Sequence, residues 1–556
     1  MNPDAIAEPS LRDHRREPCG QGFGASRSDL PGPQKKRDEN EKKHRAARHG
    51  RQPSSVVLSL LVLCAACTPR AAHQSDDALV LILPRDAEQL DPRFVADPYG
   101  LRVSRLLFAS LVTVDPRTLE VLPDLAESIE MPDPARYVVR LREGLRFSDG
   151  TPLTAKDVAA TFRGLVDPAL RSRYANNYRR IQQITVVDSR TVRFELDAPH
   201  ATFLTDLEIP IVREQDAHRR IATPEDPFPV GAGPYRLVGR GAGSLELEAN
   251  PYWHRGTPKH PRLRLVVIRD DNTRALRLLA GQGDLALAAI PPLLLPMFSE
   301  DPRFELRSAP GISTMYLGFQ TESPKLQDVR VRRAIAHAID RERLVTSKYG
   351  GLARVTDSWI PEGHWARAKD LPSAEFSPAR ARSLLDEAGF FDPPGAAPRM
   401  SLSLRTTSDR FRQSVARAIA AMLRDVGIEV DVRPSEAATL ISDLNKGRFE
   451  LTLLQMPEVL EPHVLSWFFD SGRIPGPDGE GANRWRYRNE SLDALFEEGR
   501  SSVAQTERVQ AYLRVQQTLA QDLPVLPLWQ PDTVAVVRRG LDFDVPRDGR
   551  FGTLAF

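Results

Sequence analysis

Residues Leu141 to Val158 read LREGLRFSDGTPLTAKDV. With Tyr137-Val138-Val139-Arg140 before it, the first part is rich in β-branched and aromatic residues. Apolar Leu141, Leu145 and Phe147 stand among Arg142, Glu143 and Arg146, which predicts a strand. Asp149-Gly150 predicts a turn, because Gly tolerates positive φ and Asp bonds its local backbone. Thr154 is a good helix N-cap, and Asp157 stands where a capping box ordinarily has Glu or Gln. Apolar Val158, Phe162 and Leu165 follow at helical spacing. Strand, turn and capped helix result, with nothing catalytic.

The same letters follow the spacing LR-x-G-x-x-F-x-DG-x-P-x-x-A-x-DV. In this the stretch resembles the signature segment of the family 5 solute-binding proteins of ABC importers, the oligopeptide- and dipeptide-binding group. Further segments carry the resemblance. Toward the amino-terminal side are Gln89-Leu90-Asp91-Pro92 after the apolar run Ala78–Leu83, and Val121-Leu-Pro-Asp-Leu-Ala-Glu-Ser128. Pro229-Val-Gly-Ala-Gly-Pro-Tyr235, Asn250-Pro-Tyr-Trp253 and Gly281-Gln-Gly-Asp284 follow. The helix Asp328–Arg341, Asn489-Glu-Ser-Leu-Asp493 and Leu523-Pro-Val-Leu-Pro-Leu528 complete the series. The resemblance thus spans roughly residues 78 to 540. The glycines of Gly231-Ala-Gly233 lack G-x-G-x-x-G or Walker spacing, so they predict a tight backbone turn rather than a phosphate loop.

Length and composition agree with an ordinary globular protein of several domains: 556 residues, 41% hydrophobic and 27% charged. The formal net charge is only +2, and the basic excess sits in residues 1–55, which hold 12 Lys and Arg against 8 Asp and Glu. A nucleic-acid partner is not expected from that balance. Residues 1–55 show no apolar periodicity and predict a disordered basic leader. Residues 56–66 are an apolar run of eleven residues, too short to span a bilayer as a helix and suited to the h-region of a secretory signal. Ala65-Ala66-Cys67 resembles a bacterial lipobox, with Cys64 where Leu is usual, and makes Cys67 the expected lipidation site. So long a leader suggests that translation starts downstream of Met1. The only other cysteines are Cys19 and Cys64, so a chain beginning at Cys67 can form no internal disulfide or Cys-based metal site.

The resemblance implies an α/β, type II periplasmic-binding-protein fold with two discontinuous lobes. The expected division is a lipidated tether at 67–77, then a first lobe from 78–112, 226–312 and 525–556. An extra subdomain is expected at 113–225 and a second lobe at 313–524. It also implies a monomer that captures an oligopeptide, dipeptide or other small solute and delivers it to an ABC permease driven by ATPases. The lipid would anchor it on the periplasmic side of the cell envelope. A sensory or scaffold lipoprotein on the same fold is the alternative. No enzyme is expected, since H-E-x-x-H, G-x-S-x-G, kinase and P-loop signatures are missing. No cofactor or metal is expected either.

In peptide-binding members a cleft carboxylate pairs with the peptide's ammonium, because burying an unpaired charge is costly. The corresponding acid here is Glu458, with Gln455 where an aromatic is usual and Glu461-Pro462 at the following acid–proline pair. Ligand contact and a solvated loop acid are both open for Glu458; for Glu461 a role at a helix amino-terminus stands beside ligand contact. Asp97, Pro98 and Tyr99 align with the first-lobe cleft segment. Trp359, Trp365 and Trp485 could line side-chain pockets or pack cores.

Overall fold

A computed structural model describes residues 78–556 apart from 96, 221–227, 396 and 477–480. The expected leader, h-region, tether and Cys67 lie outside the described residues. Two large mixed sheets dominate. The first has the strand order Phe304–Ala309, Thr533–Arg538, Leu285–Leu287, Ala78–Leu83, Arg262–Val267, Ser244–Ala249, Tyr235–Gly241. Ala78–Leu83 runs parallel to both of its neighbours. Its unbroken apolar sequence is what a strand covered on both faces requires: Leu79, Leu81 and Leu83 enter one core and Ile82 the other.

The second sheet has the order Ala353–Val355, Val525–Pro531, Thr314–Phe319, Leu451–Met456, Met400–Thr407, Ile428–Ser435. Met315 and Leu317 face one core and Tyr316 the other, as the two-residue repeat of a strand dictates. A third sheet of four strands, Ala126–Asp133, Arg136–Leu141, Thr191–Leu196 and Ile181–Val186, packs on the helix Ala155–Val166.

That helix follows the opening stretch. Thr154 Oγ1 accepts from the Lys156 amide, and the Asp157 carboxylate accepts from the Thr154 amide at 2.8 Å. Asp therefore does the work usually given to Glu in a capping box. Asp157 also accepts from the Glu214 amide at 2.9 Å, a tertiary bond. The strand is shorter than its composition suggests. It ends at Leu141, and the chain turns through Gly144 at φ +71° while still burying Leu145 and Phe147.

The glycine pair 231 and 233 serves close approach rather than a turn, and neither has positive φ. A Cβ on Gly231 would run into the Leu107 carbonyl oxygen, and one on Gly233 would lie 2.6 Å from the Leu106 carbonyl oxygen. The segment is pressed against the end of helix Pro98–Leu107, where the Gly233 amide donates to the Leu107 carbonyl at 3.0 Å.

Chain crossings between the two large sheets lie side by side. Phe304–Ala309 pairs with Thr533–Arg538 in the first sheet, and Thr314–Phe319 pairs with Val525–Pro531 in the second. The connectors Pro310–Ser313 and Asp532 thus form a two-stranded ribbon between sheets. Residues 525–531, expected in the first lobe, form a strand of the second sheet, where their backbone bonds are spent on Thr314–Phe319 and Ala353–Val355. Arg547 fastens the ribbon: its Nε donates to the Pro310 carbonyl at 3.1 Å and its Nη1 to Arg117 at 3.3 Å. Nη2 reaches the Glu362 carbonyl.

Candidate functional site

Strand Leu451–Met456 lies inside the second sheet, and the loop after it carries the acids singled out in the sequence. The loop is held against the crossing by the Val459 amide, which donates to the Ile312 carbonyl at 3.1 Å. Leu460 packs on Val114, Leu119 and Ile312. Gln455 is exposed, and its amide donates to Ser313 Oγ.

Glu458 is half-buried, and its carboxylate makes no hydrogen bond or ion pair among the described residues. Burial pushes its carboxyl above the ordinary value, against the pull of Arg550, Arg102 and Arg105, in that order; Asp548 adds to the rise. Two of these arginines lie on helix Pro98–Leu107 and one lies beyond strand Thr533–Arg538. Arg550 Nη2 and Arg105 Nη2 each lie 3.2 Å from Glu208 Oε2. Burial alone would raise the Glu208 carboxyl, but Arg550 and Arg105 outweigh it and hold the group below its usual range. Arg550 Nε lies 2.8 Å from Asp548 Oδ2, although the angle there is too poor for a hydrogen bond. The guanidinium of Arg102 sits 5.1 Å from the centre of the Tyr99 ring and pairs with no carboxylate among the described residues.

The other expected site residues are engaged within the protein. Asp97 caps helix Pro98–Leu107 by accepting from the Gly100 amide at 2.6 Å. Tyr99 donates its hydroxyl to the Ala288 carbonyl at 3.2 Å, and burial raises its pKa. Glu461 forms an ion pair with Arg508 and accepts from the His463 amide at 3.1 Å. Arg508 is further held by the Gly499 carbonyl at 3.0 Å and by the rings of Trp365 at 5.0 Å and Tyr512 at 5.7 Å. Trp359 and Trp485 belong to the core on the Tyr316 side of the second sheet, where Trp485 Nε1 donates to the Phe468 carbonyl at 2.8 Å. Trp365 packs at the edge of that core. Hence Glu458 and Tyr99 share the charged cluster, while Asp97 and Glu461 spend their carboxylates elsewhere.

Arg102, Arg105, Glu208 and Arg550 escaped the sequence reading. They lie up to 448 positions apart in a chain with 76 Lys and Arg, and no local pattern marks them. The Ala201 amide of the subdomain donates to the Arg500 carbonyl at 2.9 Å, and Arg500 Nη1 reaches the Pro199 carbonyl at 3.3 Å. Among the described residues no three His, Cys, Asp or Glu side chains are gathered to hold a metal ion. No described helix is long and apolar enough to cross a membrane.

Residues 120–474 match the profile "Bacterial extracellular solute-binding proteins, family 5 Middle". The chain belongs to this family. It is 29% identical over 530 residues to the probable ABC transporter periplasmic-binding protein SapA of Escherichia coli K12, covering 85% of this chain and 92% of that one. It is 26% identical over 522 residues to di/tripeptide-binding protein 2 of Pseudomonas aeruginosa, covering 86% and 94%. Among solved structures it is similar to the ABC transporter substrate-binding protein CtaP of Listeria monocytogenes, with a TM-score of 0.77 at 23% identity, covering 86% and 98%. The α/β architecture expected from the opening stretch is therefore that of a family of solute-binding proteins, not of enzymes.

Proposed function

We propose that this protein captures a short peptide with a free amino terminus between its lobes and hands it to an ABC permease powered by ATPases. Glu458 is the acid that receives the ligand's ammonium. The observation that carries this reading is the Glu458 carboxylate itself: partly desolvated, on the interlobe loop, and without a protein partner. A desolvated charge is stabilised by a counter-charge, and an ammonium supplies one. The similarity to a di/tripeptide-binding protein supports the peptide class. Closure about the ribbon would convert binding into a shape the permease distinguishes, through differential affinity for open and closed forms. The protein works as a monomer, held on the periplasmic side of the envelope by lipid on Cys67.

The test is native mass spectrometry of the protein purified without refolding, followed by calorimetric titration with mixed-sequence dipeptides. Glu458→Ala is expected to weaken binding at least tenfold. Unchanged affinity in that variant removes Glu458 from the site.

A further inference from the structure

Residues 115–120 join the paired strands Val112–Val114 and Val121–Pro123 in a tight polar turn. The Asp115 carboxylate accepts from the Arg117 and Thr118 amides at 2.8 Å, and the Asp115 amide donates to the Glu120 carbonyl at 2.9 Å. Leu119 has φ +64°, the left-handed conformation that favours glycine, because a Cβ there crowds the backbone. Thr118 and Glu120 beside it are exposed, yet Leu119 is buried. A branched side chain kept in that conformation marks a place where packing offsets backbone strain. Leu119 packs with Val114 and Val121 of its own hairpin, with Ile312 of the ribbon, and with Leu460, two residues past Glu458. Leu460 is also held from its main chain. His364 Nε2 donates to its carbonyl at 3.2 Å, a role fixed by the Ala366 amide, which donates to Nδ1 at 3.1 Å. Behind the turn, the Arg547 amide donates to the Pro116 carbonyl at 3.2 Å, so the hairpin is seated between that segment and the acid-bearing loop.

We propose that Leu119 is a positioning residue for ligand capture: it braces Leu460 and so holds Glu458 in place without touching the ligand. The inference rests on the reading of Glu458 as the ammonium acceptor. Ahead of Glu458 the strand ends at Met456, and after it three residues in a row are anchored. Val459 is tied to the Ile312 carbonyl, Leu460 to His364 and Leu119, and Glu461 to Arg508. The Glu458 carboxylate has no protein partner among the described residues, so its position is set by the backbone that carries it. Loosening Leu460 therefore costs affinity at Glu458, as a binding group is only as well placed as the shell that supports it. Glycine at position 119 relieves the backbone and removes the brace together, so folding and binding respond to it differently. A residue that merely filled a core would change stability and leave the affinity of the folded protein as it is.

The experiment titrates mixed-sequence dipeptides by calorimetry into the wild type, Leu119→Gly, Leu119→Met, Glu458→Ala and the Leu119→Gly/Glu458→Ala double variant, each first shown to unfold cooperatively in urea. Leu119→Gly is expected to weaken binding about tenfold. Leu119→Met, which keeps an apolar side chain of similar volume, is expected to bind within about twofold of the wild type. In the Glu458→Ala background Leu119→Gly is expected to have no further effect, because the group it positions is gone. Wild-type affinity in Leu119→Gly, or an undiminished loss when it is added to Glu458→Ala, overturns the role of Leu119 and leaves that of Glu458 standing. Wild-type affinity in Glu458→Ala overturns the ammonium reading and this inference with it, as does a wild type that binds no dipeptide. Should Leu119→Gly fail to fold, Leu460→Ala deletes the same contact from its other side and takes its place with the same expected outcomes.

Discussion

Arg508→Met tests whether Glu461 is a structural acid or a ligand contact. The side chains of Arg508 and Glu461 are only 10% and 17% exposed, so this is close to a buried ion pair. Removing one partner of such a pair costs about 3–5 kcal/mol, because the survivor keeps its desolvation penalty. The lost stacking on Trp365 and Tyr512 adds about 1 kcal/mol. Burial already raises the Glu461 carboxyl, and Arg508 is the largest pull in the other direction. Without Arg508 the acid escapes by taking a proton, which caps the loss near the lower end of that range. Glu461→Gln in the Arg508→Met background removes the orphaned charge and should recover about 1–3 kcal/mol. Urea unfolding of the four proteins, with slope and midpoint both fitted, measures the cycle. Dipeptide affinity measured alongside should be unaffected by Glu461→Gln. A coupling near zero, or a Glu461→Gln protein that melts normally but has lost its ligand, refutes the structural assignment.

Three other outcomes are expected. His463 is pressed down to about 3, first by burial and then by His200, Arg500 and Arg508, and burial pushes His364 down to about 4. Both histidines are neutral when folded and bind protons more readily unfolded. Their stabilisation is therefore complete above the unfolded value near 6.5 and is lost as pH falls toward 4 and then 3, at up to about 1.4 kcal/mol per pH unit for each. Glu458, Glu461 and Asp206, all raised by burial, oppose this as pH falls through their folded values. Unfolding midpoints against pH should flatten in His463→Gln, and an unchanged slope speaks against its burial. Gly231→Ala should cost about 1–3 kcal/mol by driving the segment off the Leu107 carbonyl, read as a lowered melting temperature. Thr154→Ala should cost about 1 kcal/mol through the lost cap, and Asp157→Glu, which restores the usual letter, should not gain it back because the Glu214 amide bond depends on the shorter side chain.

Local physics was legible in the sequence wherever one segment carried its own instructions. Thr154 caps the helix that Val158, Phe162 and Leu165 announce, and Asp328 caps the helix that begins at Val329. The Leu141–Phe147 reading overran because apolar letters report burial rather than extension. Leu145 and Phe147 are buried from a turn, with Gly144 supplying the positive φ. Gly231 and Gly233 were visible as special, but the reason is another segment's backbone, which no local pattern encodes. The charged cluster is the extreme case. Glu458 was found only through the family resemblance, whereas Arg102 and Arg550, which act on it, come from segments far away in the chain.

Residues 525–538 supply, in immediate succession, a strand to each of the two large sheets. Neither is an added edge. Val525–Pro531 joins Ala353–Val355 to Thr314–Phe319, and Thr533–Arg538 joins Phe304–Ala309 to Leu285–Leu287. During synthesis both sheets therefore wait for the same late stretch, and each meanwhile presents unpaired strand edges of the kind that promote aggregation. The closing contacts span from 174 residues (Val355 with Trp529) to 252 (Leu285 with Val537), separations that make the final step of folding slow and common to both sheets. The same arrangement means that neither lobe can be cut out and expressed as an independent fragment of continuous sequence.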